Sequence, residues 1–244
     1  MEVMNNNEFS KEFKIGEQTK EFFNQNMNTL LKASAIVAFI RLIQDLAIYT
    51  IGDTSLGGGI AIITLIASSL ALFFLGLSIK VIAGNWYLNK TNIELKQAYD
   101  SLNGKKLTLF ISSTIKGIKI GLWSLLFVIP GIYKTFSYIF NEDFVIFNDA
   151  KATEAIKLSK ELSKKNIFEI FIYYLALTIL AFIPAFIIKI LVPIFIMMGL
   201  GIIAPFISFV SNMIMYLVAL SIMSGITMKF IDLTQKIGLE LNIK

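Results

Sequence analysis

The chain has no cysteine and no histidine, one arginine, and four prolines among its 244 residues. Without cysteine there is no disulfide, no thiolate metal site and no cysteine nucleophile. Without histidine the usual general base, the commonest metal ligand and the one side chain that titrates near neutrality unperturbed are missing as well. Ser–His and Cys–His catalysis is thereby excluded. The sequence also lacks a Gly-x-x-x-x-Gly-Lys phosphate loop and any Asp-rich array spaced for two metal ions. It reads as a non-enzyme, with no metal and no cofactor expected. The scarcity of arginine, alongside many Ile, Lys and Asn, suggests an AT-rich bacterial genome. Residues 1–27 are polar and charged and lack an apolar core, so no secretory leader is expected there and the first apolar span would itself direct insertion.

Apolar length is what the chain has instead. Hydrophobic residues make up 56% of it, and the mean hydropathy is +0.72; soluble domains lie nearer about 45–50% apolar. A helix crossing the roughly 30 Å hydrocarbon layer needs about 20 predominantly apolar residues. Such stretches fall at 29–51, 59–83, 107–129, 132–147, 167–191 and 203–229, the fourth being the shortest and most polar. The expected fold is an all-α integral membrane protein. About six transmembrane helices form three hairpins, each preceded by an amphipathic cytoplasmic surface helix. As a single polytopic domain over 1–244 this divides into an amphipathic segment 1–28, hairpin 29–83, surface helix 84–106, hairpin 107–147, surface helix 148–166, hairpin 167–229 and tail 230–244.

Lysine distribution orients the set. The links Gly52 to Gly58, Pro130-Gly131 and Val192 to Ile202 contain one charge, Asp53, and no Lys. The segments on the other side, 1–28, 84–106, 148–166 and 230–244, hold fourteen Lys. Positively charged loops stay inside, so a cell-membrane protein with cytoplasmic N- and C-termini is expected. The net charge of +5 is therefore read as membrane-flanking charge meeting anionic head groups, and nucleic acid is rejected as a partner. Membrane lipids are the expected partners, with a protein partner at the cytoplasmic face as a further expectation.

The Lys-rich segments carry helical patterns of their own. Thr91-Asn92-Ile93-Glu94 has the spacing of a capping box, followed by an apolar face of Leu95, Ala98, Tyr99 and Leu102 and a stop at Gly104. Asp149 is placed to cap a helix with Ala152, Ala155, Ile156, Ser159 and Leu162 on one face and Lys157, Lys160 and Lys164 on the other. Residues 8–24 show Phe9, Phe13 and Phe22 among charges. Such patterns suit helices lying on the inner membrane surface. The surface helix, crossing, tight turn and return crossing recur three times, and Glu94 and Glu154 are 60 residues apart, which suggests an internal repeat.

The run Leu126-Phe127-Val128-Ile129-Pro130-Gly131-Ile132-Tyr133, a polar-tinged return helix, and then Ala155-x-x-x-Ser159-x-x-Leu162 before a fresh apolar span form a recognisable combination. It resembles a six-helix bacterial membrane-protein family of unknown function that includes YciC-like proteins and the membrane domain attached to some glycerophosphodiester phosphodiesterases. The resemblance covers roughly 90–180 in sequence and the rest by topology. It implies a six-helix membrane fold, an envelope role and no established catalytic residues.

Ionisable residues inside spans mark the candidate sites, because each costs about 2.5–3.5 kcal/mol on insertion scales and asks for a partner. A turn at Pro130 sets Lys119 opposite Asn141 and Glu142, and Lys116 near Asp143. This is either an ion or head-group site or a mutual neutralisation that lets a polar hairpin insert. Arg41 and Asp45 lie four apart on the first span, with Gln44 between them. They form either a self-neutralised intrahelical pair or a guanidinium able to hold a lipid phosphate bidentately. Asn212, with Ser208 and Ser211 nearby, suits interhelical hydrogen bonding, and Gly117-x-x-x-Gly121 suits a close helix contact. Pro184 is expected to kink the fifth span. Gly199-Leu200-Gly201 between Pro193 and Pro205 suits an outer loop or a re-entrant piece. Trp86, Tyr87 and Trp123 suit interface anchors.

Two functions fit: a non-enzymatic inner-membrane protein supporting envelope or lipid homeostasis by binding lipid or a partner, and a small transporter or channel that uses buried charges between helices.

Overall fold

The computed structural model describes residues 6–51, 55–198, 204–239 and 241, all helix, turn or short connection with no strand among them. The helices are α1 (Asn6–Ile51), α2 (Ser55–Asn89), α3 (Leu95–Ser101), α4 (Lys106–Leu126), α5 (Val128–Ser137), α6 (Asn141–Asn148), α7 (Ala152–Met197) and α8 (Ala204–Lys236). Among the described residues, three helical stretches are long and apolar enough to cross a bilayer: Leu56–Asn89, Lys106–Leu126 and Pro205–Lys236. Asp53, and Gly199-Leu200-Gly201 with its outer-loop or re-entrant reading, lie outside the described residues, as do the side chains of Phe9, Phe13, Pro184 and Pro193. Residues 192–197, expected in a link, are helical, since α7 runs to Met197.

The described residues group into two compact units that interleave along the chain. The first comprises Met1–Asn24, Leu77–Leu175 and Met223–Lys244; the second comprises Gln25–Gly76 and Ala176–Ile222. In the second unit the buried side chains include Ala33, Ser34, Val37, Ala38, Thr64, Ser68 and Ser211, mostly small groups that let helices approach closely. Thr64 donates to Ile60 O at 2.8 Å and Ser69 to Leu65 O at 2.8 Å, so these hydroxyls are satisfied within their own helix. Ile36, Phe39, Ile62, Ile63, Ile66 and Leu70 are exposed.

The first unit is built differently, and several expectations need correction there. The span expected at 132–147 is not one helix: α5 ends at Ser137, a turn occupies Tyr138–Phe140, and α6 begins at Asn141. The chain reverses at Phe127, whose backbone is extended (φ −157°, ψ 137°), and not at Pro130, which sits in the first turn of α5 where a missing N–H costs nothing. Gly131 lies against Ser124, and a Cβ there would run into the serine backbone.

The surface helices also differ. No separate helix precedes residue 29, because α1 is continuous from Asn6 to Ile51. The start of α3 is Glu94, whose N–H donates to Gln97 Oε1 at 3.2 Å, one turn later than the Thr91 box. The Ala155, Ile156, Ser159 and Leu162 face of α7 is buried in protein and does not lie open on a surface. Ser159 accepts from Phe140 N at 3.2 Å and donates to Ser137 O at 3.2 Å. Asn166 interrupts α7 (φ −123°, ψ 17°), and its side-chain amide donates to the Leu162 carbonyl at 3.0 Å, satisfying an acceptor in the turn before the break.

The core of this unit is aromatic around α8. Phe140, Phe144 and Phe147 converge on Phe230, the nearest centroids 4.9 Å apart, and Phe22 meets Trp86 edge-on at 5.6 Å. Phe22 and Trp86, expected at a surface and at an interface, are thus core residues.

Candidate functional site

Every residue of α6 from Asn141 to Phe147 is buried, including the polar Asn141-Glu142-Asp143 of its first turn. Two carboxylates at a helix N-terminus face the positive end of its dipole. Neighbouring residues on a helix point about 100° apart, so the two acids reach different helices. Asp143 meets the Lys80 ammonium of α2 at 2.6 Å and accepts from the Thr227 hydroxyl of α8 at 2.6 Å. Glu142 is held by Lys116 of α4 and accepts from Ser113 at 2.9 Å. Lys80 Nζ also stands 3.9 Å from Glu142, joining the pairs into one cluster. Ser112 donates to Asn141 Oδ1 at 2.7 Å beside them.

The side chain of Asp143 is 0% exposed and that of Lys80 7%, so each charge depends on the other for its solvation. Removing one partner of such a pair leaves an uncompensated charge in a poorly polarisable interior. The cluster of Lys80, Lys116, Glu142 and Asp143 is neutral in sum. It ties together four helices, α2, α4, α6 and α8.

A second neutral cluster lies elsewhere in the same unit. Ser224–Ile231 of α8 are buried throughout. Thr227 and Lys229, two positions apart, project about 200° apart, so while Thr227 serves Asp143, Lys229 pairs with Glu169 of α7. Lys236 lies 3.6 Å from Glu169 and 3.0 Å from Asp232. Lys229 also stands 5.8 Å from the centroid of Tyr173, whose hydroxyl hydrogen-bonds to Thr19 of α1 at 2.9 Å.

Of the residues singled out in the sequence, Lys116 and Glu142 are brought together, and Asp143 joins them through Lys80. Two pairings need correction. Lys119 does not face Asn141 and Glu142; it is exposed, 6.0 Å from the Tyr138 ring. Lys116 meets Glu142 and not Asp143. The reason is the turn at Phe127: moving the pivot three residues earlier shifts each α4 partner by about six residues, so Ser113 comes opposite Glu142, Lys116 reaches it from the next turn and Lys119 is left beyond it. Gly117 and Gly121 make no close contact among the described residues, since a Cβ at either meets nothing within 4 Å. In the second unit Arg41 donates to the Tyr216 hydroxyl at 3.1 Å and to Gln44 Oε1 at 2.8 Å. Asp45 and Asn212 are half-buried. Lys80, Thr227, Lys229 and Glu169 were not singled out as site residues. The two Lys were legible as charges near the ends of apolar runs, but their partners are 63 and 60 residues away.

Comparison with family models, with curated proteins and with solved structures found no match to this chain.

Proposed function

We propose that this chain is a non-enzymatic, multi-pass membrane protein of the bacterial cell membrane, with both termini cytoplasmic, that supports envelope or lipid homeostasis by binding phospholipid. The observation that carries the reading is the division of polarity. Apolar side chains of the second unit and of the α4–α5 turn are exposed, while Glu142 and Asp143 of the first unit are buried against Lys116 and Lys80. This inverts the pattern expected against water and suits an apolar solvent. The resemblance to the YciC-like family points the same way. Membrane lipids are the proposed partners, a protein at the cytoplasmic face a further one, and nucleic acid is not among them.

Arg41 is the proposed head-group contact. It is half-buried within the second unit. Its Nε donates to the Tyr216 hydroxyl and its Nη1 to Gln44 Oε1, which fixes the plane of the guanidinium and leaves Nη2 for a phosphate oxygen. Native mass spectrometry from mild detergent tests this. A stoichiometric phospholipid that disappears in Arg41→Ala supports the reading, and a lipid-free wild-type chain contradicts it.

Transport is the second reading, favoured by the charges on α2, α4, α6 and α8. Against it, both carboxylates of the α6 cluster already have a Lys and a hydroxyl partner, so a substrate ion would have to displace an internal cation. Ion or solute flux in proteoliposomes that is abolished by Glu142→Gln would favour transport.

A further inference from the structure

We infer that the end of the α4–α5 hairpin is a wedge that enters the acyl layer of the inner leaflet alone and does not cross the bilayer. The inference rests on the membrane reading above and concerns how this one element meets lipid.

Leu125, Leu126, Phe127, Val128 and Ile129 are 64–85% exposed, a continuous apolar end that none of the described residues covers. Its base is marked by cations on both limbs. Lys119 of α4 and Lys134 of α5 stand at the same level, 6.0 Å and 5.8 Å from the one Tyr138 ring. Lys134 is also 5.1 Å from the Trp123 ring. Lys, Trp and Tyr together are the side chains that settle at the head-group level, the rings amphipathic and the ammonium groups reaching water. Beyond this collar each limb offers six or seven residues, 120–126 and 128–133, or about 10 Å at 1.5 Å per residue. Half of the hydrocarbon layer is about 15 Å. The apolar end therefore fits within one leaflet and falls well short of two.

The return limb argues the same. A crossing would need about 20 residues facing lipid, whereas α5 has 10 and α6 is buried from Asn141 to Phe147. At the level of α6 the hairpin is protein core. Its base is tied by Lys105, which donates to Ile146 O at 2.6 Å and pairs with Asp149 at 2.5 Å. That base joins the Lys-rich segments 84–106 and 148–166, which places entry on the cytoplasmic side. The occupant of the apolar end is thus phospholipid acyl chain, and residues 127–131 never reach the outer face.

The natural absence of cysteine allows a direct test on the full-length chain. Val128→Cys and, as a reference on the exposed face of α2, Ile63→Cys are labelled with a bimane in vesicles of phosphatidylethanolamine and phosphatidylglycerol. Nitroxides are carried either near the head group or far down the acyl chain. In parallel, intact cells expressing Val128→Cys receive a membrane-impermeant maleimide. The expected result is quenching of both sites by acyl-chain nitroxide and no labelling of residue 128 from outside. Labelling of residue 128 from outside would show a crossing and overturn the inference. Quenching at residue 63 but at no depth for residue 128 would also overturn it and point to a second copy over the hairpin end. Absence of quenching at both sites would instead overturn the membrane reading itself.

Discussion

Asp143 is the residue on which the first unit turns. Its carboxylate has no exposure and two partners from different helices, Lys80 and Thr227. Lys80→Met should therefore cost about 3–5 kcal/mol, the range for stranding a buried charge, read as a fall in thermal unfolding midpoint in detergent. Adding Asp143→Asn should recover part of the loss, with a coupling of about 0.5–3 kcal/mol in the double-mutant cycle; strictly additive losses would remove the pairing. The register makes a second prediction. Lys116→Ala should cost about 1–3 kcal/mol by unpairing Glu142, while Lys119→Ala, at an exposed collar position, should stay within about 0.5 kcal/mol. The reverse order would restore a turn at Pro130. The existence of an α4 Lys with a Glu142 partner was legible from charges inside apolar runs. Its register was not, because moving the turn by three residues shifts the α4 partners by about six and replaces Lys119 with Ser113 and Lys116 at Glu142 without altering the apolar pattern. Lys80 with Asp143 was out of reach, since nothing local links positions 63 apart.

Among the elements, the helices were legible where apolar runs are long, as in α2, α4 and α8. The return limb over 132–147 was misread because its composition is apolar enough for a helix while Tyr138–Phe140 break it. The amphipathic faces were legible too, but not their counterpart: Ala155, Ile156 and Leu162 match a protein core as well as a membrane surface. Glycines separate close packing from open space. Gly131→Ala would press on the Ser124 backbone, and Gly84→Ala on the Phe147 ring, itself buried and stacked on Phe230. Each should cost about 1–3 kcal/mol as overpacking. Gly117→Ala and Gly121→Ala meet nothing within 4 Å and should gain up to about 1 kcal/mol from helix propensity. Thermal unfolding of the four variants checks this. A loss at Gly117 or Gly121 would reveal a contact between copies of the chain and revive the close-packing role expected of Gly117-x-x-x-Gly121.

For the whole molecule, the two units carry opposite chemistry. One buries a neutral cluster of Lys and carboxylates around α6 and holds a second, partly exposed one at Glu169, Lys229, Asp232 and Lys236; the other buries small residues and exposes Ile, Leu and Phe. Because Lys80, Glu142 and Asp143 are buried, salt should screen that cluster weakly, and the unfolding midpoint of the first unit should change little with ionic strength. The exposed apolar surface has no such independence from its surroundings, and the account stands on its being covered by lipid. Washing isolated membranes with alkaline carbonate, which strips peripheral proteins and leaves integral ones, tests that claim most directly. The chain is predicted to stay in the membrane pellet and to leave it only with detergent. Its release into the soluble fraction by carbonate alone would contradict the account.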